Sequence, residues 1–353
     1  MTPLSDLCPL LSMFKHKPVK KDSFLVDLLS SITSSLLITT SILMASFQLF
    51  GSPIRCQTPG GSSEFIEEYC WATSTFSMWS SSMSSMYPGL GQGRGEVVYH
   101  SYYQYMPVML LLLAGLCMLP NLFWSYWEEG LMDKLVPTSD RKVAISILHW
   151  EEVMQYTKDI GNYFRRNIGS NHHYRYGLCN LATEVMCFTN IVSIIFILQF
   201  FLKTFLQYLP HLLLHHLVHP LPVPPQERLF PLLTKCSIHN IGSSGSTQTQ
   251  DALCLLTVNL INQKVFLVIW LWLALLLVTS FLLLGNTFLT AIFPLFRRKG
   301  LKKLSGEELP SHIVDSLVDK LAYGDWLVVT RMVSHFTSDV VRSVLTEVQR
   351  KVG

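Results

Sequence analysis

Residues 265–284 read VFLVIWLWLALLLVTSFLLL, a run without a single charged side chain. A helix rises 1.5 Å per residue, so about 20 apolar residues cover the roughly 30 Å hydrocarbon core of a bilayer. This run decides the fold class, and three further stretches meet the same test. The expected spans are 26–50, 105–125, 184–208 and 265–293. Of 353 residues, 49% are hydrophobic and only 14% charged, and the mean hydropathy is +0.33, too apolar for an ordinary soluble chain of this length. The net charge is only +3, and Lys and Arg stand in short clusters beside apolar stretches rather than among aromatics, which argues against a nucleic-acid partner.

Orientation follows from where the cations fall, because short basic segments resist translocation. The leader 1–25 holds four Lys, the segment 125–183 seven Lys or Arg, and the tail after 293 ten. The loop 51–104 holds only Arg55 and Arg94, and the loop 209–264 only Arg228, Lys235 and Lys264. The expectation is therefore a plasma-membrane protein with a cytoplasmic leader, loop 126–183 and tail 294–353, and with loops 51–104 and 209–264 outside. The first span is longer than a signal-peptide core and lacks a small-residue cleavage pattern, so it is read as retained.

Cysteine placement bears on the same assignment, since disulfides persist in oxidising compartments. Cys56 and Cys70 fall in the first outer loop, Cys236 and Cys254 in the second. Four cysteines allow three pairings, and spacing does not choose among them. Cys8, Cys117, Cys179 and Cys187 fall in inner or membrane positions and read as reduced, small apolar residues.

The glycine run 89–95 lacks the Lys-Ser/Thr and the strand-to-helix setting of a phosphate loop, and reads as an exposed turn. Residues 220–225 are proline-rich and should run extended. Neither outer loop carries an Asn-x-Ser/Thr acceptor. In the tail, Val329, Met332, Val333, Phe336, Val340, Val344 and Val348 recur at helical spacing, which predicts one long helix with an apolar face. Val143, Ile147, Trp150 and Met154 offer a similar face in the inner loop. The two faces predict a helical cytoplasmic domain built from loop and tail, with a membrane-surface tail helix as the alternative. The fold class expected is thus an all-α polytopic membrane protein with four spans, two stapled outer loops and that inner domain.

The first span differs from the others in its hydroxyls: Ser30, Ser31, Thr33, Ser34, Ser35, Thr39, Thr40, Ser41 and Ser46. Asp27, Ser31, Ser34 and Ser41 are spaced by four, three and seven, which stacks them on one face of a regular helix. An ionisable residue beside a span is a functional pointer, so these four are pore-lining candidates. The competing reading is that small hydroxyls let helices pack closely.

For chemistry, His211, His215 and His219, with His216 between them, could present imidazoles along one side of a helix. A catalytic di-iron site would need several such boxes and nearby carboxylates. What remains is a modulatory zinc or proton site. His172 and His173 lack ligand spacing, and no nucleophile elbow, phosphate loop or zinc-protease motif is present. No enzyme, cofactor or structural metal is expected.

Several stretches, in order along nearly the whole chain, resemble the innexins, the invertebrate gap-junction proteins. Tyr102-Tyr103-Gln104-Tyr105-Met106-Pro107 looks like the family's Tyr-Tyr-Gln-Trp-Val-Pro signature. Phe24-Leu25-Val26-Asp27 and Gly51-Ser52-Pro53-Ile54-Arg55-Cys56 are similar to the flanks of its first span, and Tyr69-Cys70-Trp71-Ala72-Thr73 to its second cysteine segment. Leu119-Pro120-Asn121 resembles the end of its second helix. Phe230-Pro231 before Cys236, the stretch Cys254 to Phe266 and the tail residues 321–331 follow the family's order. The resemblance implies a ring of eight subunits around a wide pore for ions and small metabolites, docking with a ring on the apposed cell. Other innexin subunits and membrane lipid are the further partners. It also implies the disulfides Cys56–Cys254 and Cys70–Cys236, and a leader folded into the pore mouth.

Tyr105 and Met106 depart from the signature, and the histidine- and proline-rich start of the second loop departs as well. These bear on selectivity and gating rather than on fold. Two alternatives stand beside the docking channel. One is an unpaired hemichannel of pannexin type, usually glycan-shielded. The other is a pore-less tetraspan scaffold, whose Cys-Cys-Gly loop motif is absent.

Overall fold

A computed structural model describes residues 24–58, 61, 64–79, 90, 96–128, 130–136, 150–202, 229–241, 244–305, 310–336 and 338–352. Four of its helices are long and apolar enough to cross a membrane: α1 (Phe24–Phe50), α3 (Tyr102–Glu128), α6 (Asn171–Leu202) and α7 (Thr257–Ile292). Each begins or ends outside the purely apolar stretch, because the flanking polar residues continue the helical pattern and find partners in the neighbouring elements. The remaining helices are α2 (Glu64–Thr73), α4 (Leu131–Leu135), α5 (Trp150–Asn167), α8 (Pro294–Ser305), α9 (Ser311–Lys320), α10 (Tyr323–Val333) and α11 (Ser338–Val352). The described residues, mostly helical, also contain five strands: β1 (Arg55–Gln57), β2 (Thr75–Trp79), β3 (Glu96–His100), β4 (Leu233–Ile241) and β5 (Thr247–Leu255).

The described chain divides into two compact units. One holds Leu119–Cys187, Ser280–Gly353 and the chain up to Ser30; the other holds Ser31–Met118 and Phe188–Thr279.

In the second of these, the strands form one antiparallel sheet in the order β1-β5-β4-β2-β3. The hairpin β4–β5 pairs Leu233 with Leu255 through to Ile241 with Thr247. Its pattern has the period of two that a half-buried sheet requires: Thr234, Cys236 and Ile238 are buried, as are Ala252 and Cys254. Cys236, Ile238, Ala252 and Cys254 form one core with Ile54, Tyr103, Leu256 and Val258. The sequence reading did not anticipate this sheet, since short strands interrupted by Lys, Ser and Thr carry a weak signal beside four oily helices.

Two prolines lie inside α3. A helical proline offers no N–H to the carbonyl four residues earlier, and in lipid that carbonyl must find another donor. Pro107 orphans the Tyr103 carbonyl, and Gln48 of α1 donates its Nε2 to it at 2.8 Å. Pro120 orphans the Leu116 carbonyl, and Asn190 of α6 donates its Nδ2 there at 2.6 Å. Each proline is thus matched by one amide side chain on a neighbouring helix.

The other unit packs α4, α5, α8, α9, α10 and α11 around a core that includes Phe164, Leu301, Leu317, Val329, Met332, Val344 and Val348. The tail face expected on a single long helix is divided between α10 and α11, with Ser334 to Phe336 in the turn. Splitting the face lets both halves cover one core, where a straight helix would carry half of it away. In α5 the buried side runs through Thr157, Ile160 and Phe164, whereas Met154 is exposed; Val143 and Ile147 lie outside the described residues. Gly161 is where α5 and α11 approach, since a Cβ there would lie 2.8 Å from Glu347 Cγ.

Candidate functional site: stapled sheet, hydroxyl face and tail anchor

Cys56 and Cys254 are directly opposite in the β1–β5 ladder, with Cα atoms 4.1 Å apart, and their sulfurs are bonded. Cys70 on α2 is bonded to Cys236 on β4 across a Cα separation of 5.8 Å. All four are buried in the sheet core. Sequence separations of 198 and 166 residues are closed by these bonds, so each joins one loop of the chain to the other. The three sulfurs of Cys56, Cys70 and Cys254 lie close enough together to suggest a metal site, but as disulfide sulfurs they offer no thiolate.

The signature residues sit where α3 enters this core. Tyr103 is fully buried, its ring 4.7 Å from that of Trp71. Tyr102 packs edge-on to Phe230 at 5.8 Å, and its hydroxyl accepts from Asn259 Nδ2 at 3.0 Å. Gln104 donates to the Trp71 carbonyl, whereas Tyr105 is exposed. The polar start of α7 clasps the second loop: Asn259 donates to the Pro231 carbonyl at 2.8 Å and Gln263 to that of Phe230 at 3.0 Å. Tyr102, Tyr103, Gln104, Asn259 and Gln263 therefore fix the stapled sheet onto the spans. Their side chains are spent on packing and on carbonyls.

His100 closes the sheet on the β2–β3 side. Its Nε2 lies 2.7 Å from Ser77 Oγ, and both residues are buried. Loss of hydration lowers the imidazole pKa from 6.5 to about 4, so the ring is neutral at ordinary pH. A lone histidine at a strand end gave no sequence signal of this.

The pore-lining set proposed from spacing is divided by the structure. Ser41 is buried and donates to the Pro107 carbonyl at 2.7 Å, and Ser34 is buried as well. Ser31 is exposed and Asp27 partly so. The reason is a π-helical segment, Leu28–Thr33, whose longer turn shifts the register assumed for a regular helix. Downstream of it Leu43, Leu49 and Phe50 are exposed, and so are Ser35, Thr39, Ile42 and Ser46. With Ser31 these last four are spaced by four, four, three and four, a continuous stripe. Ser35 Oγ donates to the Ile32 carbonyl at 2.9 Å and Thr39 Oγ1 to that of Ser35 at 2.8 Å, which leaves their oxygen lone pairs outward. The second span instead exposes Val108, Leu111, Leu112, Leu119 and Leu122, and the fourth Val268, Leu271, Leu275 and Val278. The third shows Thr189 and Ser193 among Val185, Val192 and Phe196.

In the other unit, two buried polar clusters hold the tail to the start of the third span. His173 Nδ1 lies 2.7 Å from Asp325 Oδ1, with both side chains almost fully buried, and His173 Nε2 lies 2.9 Å from the Tyr163 hydroxyl. Burial and the nearby Asp325 charge both raise the Tyr163 pKa. Arg331 of α10 stacks over Trp124 at 5.0 Å, and donates to the Tyr176 hydroxyl at 3.1 Å and to Asn180. His173 lacked ligand spacing in the sequence; its partner is 152 residues away. The histidines 211, 215 and 219, the leader, Cys8, the 220–225 prolines and nearly all of the glycine run lie outside the described residues.

Four long apolar helices with a disulfide-bonded sheet between the first and second and between the third and fourth define a class of polytopic membrane protein. The sequence profile of the innexin family matches residues 22–352, and this chain belongs to that family. It is 28% identical over 350 residues to innexin inx2 of Schistocerca americana, covering 96% of each chain. To innexin inx2 of Drosophila melanogaster it is 29% identical over 331 residues, 91% of this chain and 88% of that one. To innexin shaking-B of Drosophila melanogaster it is 27% identical over 357 residues, 98% of this chain and 94% of that one. Innexins are gap-junction channel subunits, membrane proteins whose business is conduction rather than catalysis, and the chain is one of them.

Proposed function

We propose that eight copies of the chain form a ring in the plasma membrane, and that two rings on apposed cells dock through their stapled sheets to pass ions and small metabolites. Leader, inner loop and tail face the cytoplasm in this reading, which the excess of Lys and Arg in those segments supports. Disulfides in the sheet suit the oxidising outside, and two covalent staples give a docking surface stiffness that a small core cannot supply alone.

The observation that carries the channel reading is the outward hydroxyl stripe of Ser31, Ser35, Thr39 and Ser46 on α1. Exposed hydroxyls gain nothing against lipid tails but hydrogen-bond well to a water column. Asp27 adds a carboxylate at the inner end of that stripe, where it would favour cations.

The test is junctional conductance between two apposed cells that express only this chain, run with single-cell dye uptake and with Cys70→Ser. Coupling that disappears in the variant supports a docking channel held by its disulfides. Dye uptake without coupling would leave an unpaired hemichannel, and silence in both assays despite surface expression would remove the channel reading.

A further inference from the structure

A proline interrupts the chain just past the fourth span, and the short helix that follows, α8, reads PLFRRKGLKKLS. Four of its five cations are divided between two faces. Arg297 Nη1 donates to the Leu321 carbonyl at 3.0 Å, and Arg298 pairs with Asp319 at 2.8 Å. On the same side Leu301 is fully buried, and Gly300 lies against the Trp326 ring, which a Cβ would approach to 3.2 Å. The Arg297 carbonyl also accepts from Trp326 Nε1, at 3.3 Å. The arginine face is therefore fixed to the tail core.

That packing turns Lys299 and Lys303 outward, both exposed. They are four residues apart on one helical face, where like charges repel. Lys299 Nζ sits 5.8 Å from the Phe296 ring, and among the described residues neither lysine is in an ion pair. Toward the span, Leu295 at the start of α8 and Ile292 at the end of the fourth span are 63% and 64% exposed. An apolar strip that ends in two outward ammonium groups, directly beyond a membrane helix, has the chemistry of a headgroup site: the apolar part lies in the interface and the lysines meet anionic phosphates.

We infer that Lys299 and Lys303 of α8, together with exposed Leu295 and Ile292, form a binding surface for anionic phospholipid headgroups of the membrane in which the chain sits. Charge complementarity and continuity with the apolar end of the fourth span select lipid as the occupant. Because α8 is packed on the tail core through Arg297, Gly300 and Leu301, lipid bound there would bear on the position of the tail. The inference does not depend on ring docking.

The experiment is thermal unfolding of the purified full chain in neutral detergent, titrated with short-chain phosphatidylserine or short-chain phosphatidylcholine. The expected result is a midpoint raised by several degrees with phosphatidylserine only, largely lost in 0.5 M salt. The shift should fall to half or less in Lys299→Gln/Lys303→Gln and be retained in Lys299→Arg/Lys303→Arg, which also controls for folding. Equal shifts with the two lipids, or an unchanged shift in the Gln variant, would overturn the inference. So would an equal response to inorganic phosphate, which would make the occupant a free anion, or a larger response to polyglutamate, which would make it an acidic peptide.

Discussion

A Cβ placed on Gly324 would lie 2.2 Å from the His173 carbonyl oxygen, so α10 and the start of α6 meet at a contact that only glycine permits. Gly177 faces the same crossing, where its Cβ would stand 3.0 Å from the Gly324 Cα. The close approach brings Asp325 onto His173 and onto the Gly169 N–H, which the carboxylate accepts at 3.2 and 3.3 Å.

Gly324→Ala should therefore separate the tail from the third span. The clash is with backbone, which cannot rotate away as a side chain can, and the expected loss is about 3 kcal/mol or more, in the range of severe packing defects. Thermal unfolding in detergent reads it directly. Gly115, with nothing within 4 Å of its Cβ position, is the control, and Gly115→Ala should leave the midpoint unchanged or slightly raised through helix propensity. Equal midpoints for the two variants would show that the crossing tolerates a methyl group.

The proline carbonyls give a second prediction. Asn190→Ala leaves the Leu116 carbonyl with no donor, and Gln48→Ala does the same to Tyr103. Each should cost about 1–2 kcal/mol, the usual penalty for stranding one buried polar group. The informative variant is Asn190→Ala combined with Pro120→Ala, in which a restored N–H can serve Leu116 itself. The double change should recover most of the loss in a double-mutant cycle. Additive losses would mean that Asn190 supports α3 in some other way.

Much of this architecture was legible in the sequence, and the failures are physically instructive. The spans were readable because twenty apolar residues in a row, as at 265–284, leave few alternatives. The family's order of motifs pointed to the disulfide pairing that spacing left open. Only part of the face on α1 was legible, because face arithmetic assumes a constant turn and the π segment Leu28–Thr33 changes it. Ser34 and Ser41 were thereby counted outward when Ser35 and Thr39 are. The split of the tail helix at 334–336 followed no glycine or proline, only the need of two apolar faces to share one core. His173 and Asp325 could not be paired from sequence at all, since nothing local marks a contact 152 residues apart.

His100 makes the stapled sheet sensitive to acid. Its folded pKa of about 4 lies below the 6.5 of an exposed imidazole, so the unfolded chain binds more protons between those values and stability rises with pH across that window. The contribution is complete above about pH 6.5, is lost as pH falls toward 4, and changes no further below. Its size is roughly 3 kcal/mol at one pKa unit per 1.4 kcal/mol. His100→Gln removes the titration, so the unfolding midpoint of the variant should fall less between pH 7 and pH 4 than that of the wild type. Parallel pH profiles would place the acid sensitivity elsewhere.

The last prediction separates the two faces of α1. If the exposed stripe faces water in the assembled ring, cysteines introduced at Ser35 and Thr39 should react with a charged, membrane-impermeant thiol reagent applied while the channel is open, and conductance should drop because a charged adduct narrows the path. Ser41→Cys should resist the reagent, since that position is buried against Pro107. Among the described residues the free thiols Cys117 and Cys187 are buried and Cys179 is half-buried; the unsubstituted channel, which also carries Cys8, supplies the baseline. Modification at Ser41→Cys with none at Thr39→Cys would restore the register read from the sequence and reverse the assignment made from the structure. Protection at all three positions would instead turn the hydroxyl face toward a neighbouring subunit, where exposed Ser and Thr allow close helix packing, and would move the conducting surface off the first span.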